Sequence, residues 1–244
     1  MFRGVGTLIN IAAIAAGATI GMFSGGRLNE RIKSLITDVL GCVTLLAAAD
    51  AISALWSHQF IQELPRGWTL LGTLFALIVG GVIGSLLRIQ DRLEMFGEYL
   101  RRKFGSTDER SFISGFMAAT LLFAIGPLAI LGSISDGMGT GTTQLALKST
   151  LDFFASIAFA STFGAGVFAS IIPVGIYQAL WTVVGLFLGN VMAGYQVAAM
   201  TVAGGVLLLG ISLRLLDIKH MRVGDLLPAL FIAPIIALVA HSFI

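Results

Sequence analysis

Lys148, Asp152 and Ser156 recur at intervals of four, so an α-helix would stack them on one face. A lysine and an aspartate one turn apart neutralise each other in a low-dielectric setting. The same pair can exchange a proton or release one partner to a substrate. Ser161 and Thr162 follow, just ahead of Gly164 and Gly166, where the helix is expected to break. Gln178 and Asn10 place amides, and Asp50 a carboxylate, inside otherwise apolar runs. A charge inside a membrane span costs roughly 2.5–3.5 kcal/mol on insertion scales, so each such residue needs a reason. These eight residues are the candidate substrate- or ion-binding groups.

Other chemistries find no support. His58, His220 and His241 fall in loops or at the ends of apolar runs, with no second histidine at i+4 and no His-Glu-x-x-His. No serine sits in a Gly-x-Ser-x-Gly elbow, and Cys42 lies in apolar sequence where thiols are inert. Asp38 and Asp50 lack the motifs of an intramembrane protease. The glycine-rich stretch Ser133–Gln144 has neither Walker nor dinucleotide spacing. The expectation is a non-enzyme with no metal and no cofactor.

The elements that must position these groups follow from composition. Of 244 residues, 57% are apolar and 11% charged, against roughly 25% charged in a soluble domain. Disorder needs the opposite composition. A net charge of +2 offers no basic face to nucleic acid, and one cysteine makes no disulfide framework. What remains is an all-α, polytopic transmembrane bundle partnered by the lipid bilayer.

Spanning a hydrocarbon core of about 30 Å takes roughly 20 apolar residues. Eight runs qualify: 4–23, 35–56, 68–87, 111–132, 143–163, 173–193, 196–214 and 226–243. Seven spans with one re-entrant segment is the alternative, because the boundary between the fifth and sixth is blurred by Gly164, Gly166 and Pro173. The first run, with Arg3 ahead of it, has the look of a signal peptide but is read as a structural helix. Gly126-Pro127 should interrupt the fourth span, and a turn over 133–144 should lead into a helix started by Thr142 and Thr143.

With eight crossings, 12 of the 15 basic residues share one side, leaving Arg3, Arg66 and Lys148 on the other. The basic side is expected to be cytoplasmic, with both termini outside. Over 88–110, Ile89, Leu93, Phe96 and Leu100 recur at helical spacing among mixed charges, which predicts an amphipathic helix on the cytoplasmic interface.

The spans echo one another. Gly17–Gly21 followed by Arg27–Ile32 is repeated by Gly80–Gly84 followed by Arg88–Leu93, and Gly84–Asp91 by Gly210–Asp217. Thr7, Leu8, Ala12, Ile14, Ala15, Thr19 and Gly21 match Thr150, Leu151, Ala155, Ile157, Ala158, Thr162 and Gly164. A helix pair repeated four times in parallel is the reading, within a single transmembrane domain 1–244 whose candidate repeat halves are 1–110 and 111–244. Small residues four apart also serve close helix packing.

Gly115–Ile134, Leu147–Asp152, Phe159–Val167, Ile176–Gln178 and Leu227–Leu230 resemble a bacterial inner-membrane family that includes YdfK- and YqgA-type proteins. The resemblance runs over nearly the whole chain, departing mildly at Leu128, where the family tends to have methionine. It implies an integral inner-membrane protein with no established activity, and it names no substrate. The leading expectation is a transporter or channel for a small solute or ion, with Lys148 and Asp152 as gate or coupling site. A proton or sodium ion would compete with substrate at Asp152, while Ser156, Ser161 and Thr162 supply hydroxyls or freed carbonyls. The alternative is a structural or regulatory scaffold docking through 88–110. A homo-oligomer is compatible with either.

Overall fold

The computed structural model describes residues 3–26, 28–106, 108–188 and 192–243. Arg27, one of the basic residues used for orientation, and residues 189–191 of the sixth expected span lie outside them. Every regular element among the described residues is helical. The helices are α1 (Val5–Gly25), α2 (Glu30–Ser53), α3 (His58–Gln62), α4 (Trp68–Leu86), α5 (Ile89–Phe104) and α6 (Glu109–Ala124). They continue with α7 (Pro127–Met138), α8 (Thr143–Phe163), α9 (Ala165–Ala169), α10 (Ile171–Leu188), α11 (Gly194–Leu215) and α12 (Ala229–His241). Short 3₁₀ turns occupy Ala54–Trp56 and Val223–Leu226.

Among the described residues, six helical segments are long and apolar enough to cross a membrane: Val5–Gly25, Glu30–Trp56, Trp68–Leu86, Ala165–Phe187, Gly194–Leu215 and Val223–His241. Ser111–Ala124 with Leu128–Met138, bent by 59°, would make a seventh. The expected eight therefore becomes six or seven by this measure: α8 drops out, and the bent pair decides the seventh. It is 21 residues long, as α1 is, but Lys148, Asp152 and its hydroxyl residues dilute its apolar content. A helix whose polar face is buried by neighbours need not be apolar all round.

Two other boundaries shift. The sixth span begins at Ala165 rather than 173, because Pro173 sits in the first turn of α10, where its missing N–H costs nothing. Ser133–Asp136, expected in a turn, belongs to α7: the chain breaks at Gly126 (φ 133°) and restarts as helix at Pro127, which leaves α7 room to run to Met138.

The chain divides into two compact units, Met1–Leu40 with Leu93–Val191 and Gly41–Arg92 with Met192–Ile244. In the first, α1 and α8 lie side by side and run the same way. Gly17, Gly21 and Gly25, four apart on α1, face the backbone carbonyls of Phe153, Ile157 and Ser161 so closely that a Cβ at any of them would collide. That approach gives the pair its dispersion contact without large side chains. The N-terminal turn of α1 is held by Asp136 of α7, whose Oδ2 accepts from the Gly6 N–H at 2.8 Å. Helix α10 runs antiparallel to α1: Thr7 meets Thr182 at 3.3 Å and Ile11 faces Gly175. Phe112, Phe116, Phe123 and Phe159 fill the interior around α6 and α8.

In the second unit, Gly80 and Gly84 of α4 press on Ala229 and the Asp225 carbonyl by the same device. Ser212 of α11 donates to the Gly41 carbonyl at 2.7 Å. Buried Asp225 accepts from the Gln90 N–H at 2.9 Å and from Arg222 at 2.7 Å, and Gln90 Oε1 accepts from Gly224 N–H. Arg222 also reaches Asp91 at 2.7 Å.

Helix α5 forms as expected, with Leu100 and Gln90 buried and Met95 and Tyr99 exposed. Arg101 anchors its end, donating to Glu98 at 2.7 Å and to the Ser106 carbonyl at 3.0 Å and approaching Glu109 at 3.5 Å. Its guanidinium, with that of Arg102, holds the Glu98 carboxyl down to about 2.

Candidate functional site

Helical periodicity places Lys148 and Asp152 one turn apart on α8, and the fold buries both, each with 6% exposure. The Lys148 ammonium donates to Asp152 Oδ2. From α1, Asn10 Nδ2 donates to the same oxygen at 3.1 Å. The ammonium lies 5.8 Å from the centre of the Phe123 ring, in the last turn of α6. This is the carbonyl end of a helix, which favours a cation. Pro127 has no N–H to offer the Phe123 carbonyl, so the break supplies an acceptor without its helical donor.

Several polar atoms here are left over. Asn10 Oδ1, Ser156 Oγ and both amide atoms of Gln178 are buried with no hydrogen-bond partner among the described residues. Asn10, Ser156 and Gln178 are all 0% exposed. Asn10 lies between Thr7, which meets Thr182, and Ile11, which faces Gly175, so the turn of α10 carrying Gln178 is level with it. An unpaired buried donor or acceptor costs about 1–3 kcal/mol, and native interiors hold few of them. A group of four such atoms beside an ion pair suits a site that takes a further polar species.

The other expected residues separate from this group. Ser161 donates to the Ala158 carbonyl at 2.7 Å, and with Thr162 it lines a recess of about 270 Å³ near Gly164, together with Lys33, Asp108 and Ser111. The recess extends along α8 as far as Ala160, one turn beyond Ser156. Asp50 belongs to the second unit, on the exposed face of α2. Asp136 and the Thr7–Thr182 contact are additions that sequence reasoning missed. Asp136 looked like a turn residue, and its only signal was a carboxylate soon after an apolar run.

Apolar helices enclosing a compensated ion pair near the break between α6 and α7 define a membrane-embedded helical protein with a polar interior. The chain belongs to the family described as "Protein of unknown function (DUF554)", whose model matches residues 5–238. It is 30% identical over 238 residues to the uncharacterized membrane protein YdfK of Bacillus subtilis (strain 168), covering 98% of this chain and 97% of that protein. It is 28% identical over 229 residues to the uncharacterized protein YqgA of Escherichia coli (strain K12), covering 94% of each. No solved structure matches.

Proposed function

We propose that the protein is a transporter or channel for a small solute or ion, with its polar pathway in the first unit. The carrying observation is the set of unpaired buried atoms on Asn10, Ser156 and Gln178 around the Lys148–Asp152 pair. A packing role alone leaves those atoms at a standing cost, whereas a passing polar species satisfies them. The polar face of α8 runs from this group toward the recess at Ser161 and Thr162, the direction such a species would take. Interrupted helices suit the role, since freed backbone groups at membrane depth survive where they line a polar cavity.

The protein in this reading is no enzyme and sits in the bacterial inner membrane with its basic loops cytoplasmic. The parallel course of α1 and α8 and the antiparallel course of α1 and α10 agree with their being first, fifth and sixth crossings. The glycine device shared by α1 and α4 supports a duplicated helix pair.

The test is flux after reconstitution, on solutes chosen by a thermal-shift screen, since a ligand of the native state raises its stability. Asp152→Asn should abolish coupled flux while the protein still inserts and folds. Normal flux in that variant would sink the assignment. The nearly complete burial of the ion pair favours the competing reading, a scaffold. In a scaffold, Lys148→Met combined with Asp152→Leu preserves function, because apolar isosteres often replace buried ion pairs without loss. In a transporter it stops flux.

A further inference from the structure

Building on the transport reading, we infer that the Lys148 ammonium is the tethered occupant of a site for a monovalent inorganic cation, and that it moves between Asp152 and Asp136 as the cation comes and goes. The charge count is the first argument. Asp136 is 2% exposed; among the described residues it takes one hydrogen bond, from the Gly6 N–H, and no ion pair. The first unit thus buries two carboxylates, Asp136 and Asp152, and one ammonium, that of Lys148. The positive end of α1 offsets part of the charge on Asp136. In formal charges the two carboxylates still exceed the one ammonium by one, and a monovalent cation supplies the difference. A divalent ion would overshoot and leave a net charge buried.

Geometry is the second argument. Gly6 contacts both Asp136 and Leu145, whereas Asn10, one turn further along α1, bonds Asp152. The two carboxylates are therefore separated by about 6 Å along α1, at 1.5 Å per residue. Lys148 lies between Leu145 and Asp152 on the same face of α8, and its four-carbon stem lets the ammonium pivot from one carboxylate to the other.

Ligand chemistry is the third. The unpaired side-chain acceptors on the residues grouped with Asp152 are all hard oxygens: Asn10 Oδ1, Ser156 Oγ and Gln178 Oε1. Asp152 Oδ1 takes neither of the bonds that converge on Oδ2. Such a set suits an alkali cation, and the described residues hold no cluster of His, Cys, Asp and Glu that would favour a transition metal. With the ammonium on Asp136 and the cation on Asp152, both carboxylates are neutralised.

The test is thermal melting of the purified protein in lithium, sodium, potassium or choline chloride at constant ionic strength. Wild type should be stabilised by at least one alkali cation relative to choline. Asp136→Asn and Asp152→Asn each remove the missing charge and should abolish that difference. Lys148→Met removes the tethered competitor and should lower the half-saturating cation concentration by about tenfold or more, since a tethered group competes at high effective concentration. An Asp136→Asn variant that responds as wild type does, or a wild type indifferent to all three cations, overturns the proposal. If Lys148→Met yields no folded protein, wild type against Asp136→Asn decides alone. Flux is read separately. Cation-dependent melting without flux retires the transport reading and keeps the site, whereas flux with no cation response in any variant retires the cation and keeps transport.

Discussion

Replacing Gln178 by leucine separates a group kept for function from one kept for folding. The Gln178 side chain is 0% exposed, and neither Nε2 nor Oε1 has a partner among the described residues. Leucine has a similar volume and no polar atoms, so Gln178→Leu removes two unpaired groups while filling the same space between α10 and α1. At about 1–3 kcal/mol for burying polar groups unpaired, the variant should gain roughly that much stability. For a chain of this size each kilocalorie corresponds to about 2–4 °C, giving a rise in melting temperature of roughly 2–12 °C. Fluorescence melting of the purified protein, using its three tryptophans, reads the shift directly. The same variant should lose flux after reconstitution, because the pathway loses one of its two amides. A gain in stability bought with activity marks a functional site. A lowered melting temperature with unchanged flux would refute the reasoning, showing that Gln178 has a structural partner and no place in the pathway.

Four further outcomes follow from the packing and the charges. Gly21→Val drives a side chain into the Ile157 carbonyl and to within 2.8 Å of the Ala160 Cβ, so it should destabilise by about 1–3 kcal/mol or block folding. Gly26→Ala, whose nearest neighbour is the Met22 carbonyl at 3.9 Å, should melt as wild type does. Asp225→Ala strips the buried Gln90 N–H of its acceptor and leaves Arg222 with Asp91 alone, and should cost about 1–3 kcal/mol in the same melting assay. Glu98, held at about 2 against an unperturbed 4.5, stabilises α5 fully above the higher value and loses that contribution as pH falls through the lower one. Hydrogen-exchange protection of α5 should therefore hold from neutral pH to about 4.5 and decline below it, and Glu98→Gln should remove that decline.

The sequence was enough for the class and for the local chemistry. Low charge and long apolar runs demanded a helical membrane protein. The spacing of four put Lys148, Asp152 and Ser156 on one face, and Gly126-Pro127 and Gly164 marked where helices break. These features depend on near neighbours and on the 3.6-residue turn, which any helix imposes. Tertiary structure decided which candidates meet. Asn10 joins Asp152 across 142 residues because a strip of glycines sets the register of α1 against α8, and Gln178 comes level with them because Thr7 meets Thr182. Asp50, equally conspicuous in the sequence, faces outward on α2, and Asp136 becomes the second buried carboxylate of the first unit because the chain restarts as helix α7 at Pro127 and runs to Met138. Periodicity orders the side chains of one helix, but the rotation and register between helices come from contacts far apart in the chain. That is why the ion pair was legible in the sequence and the polar group around it was not.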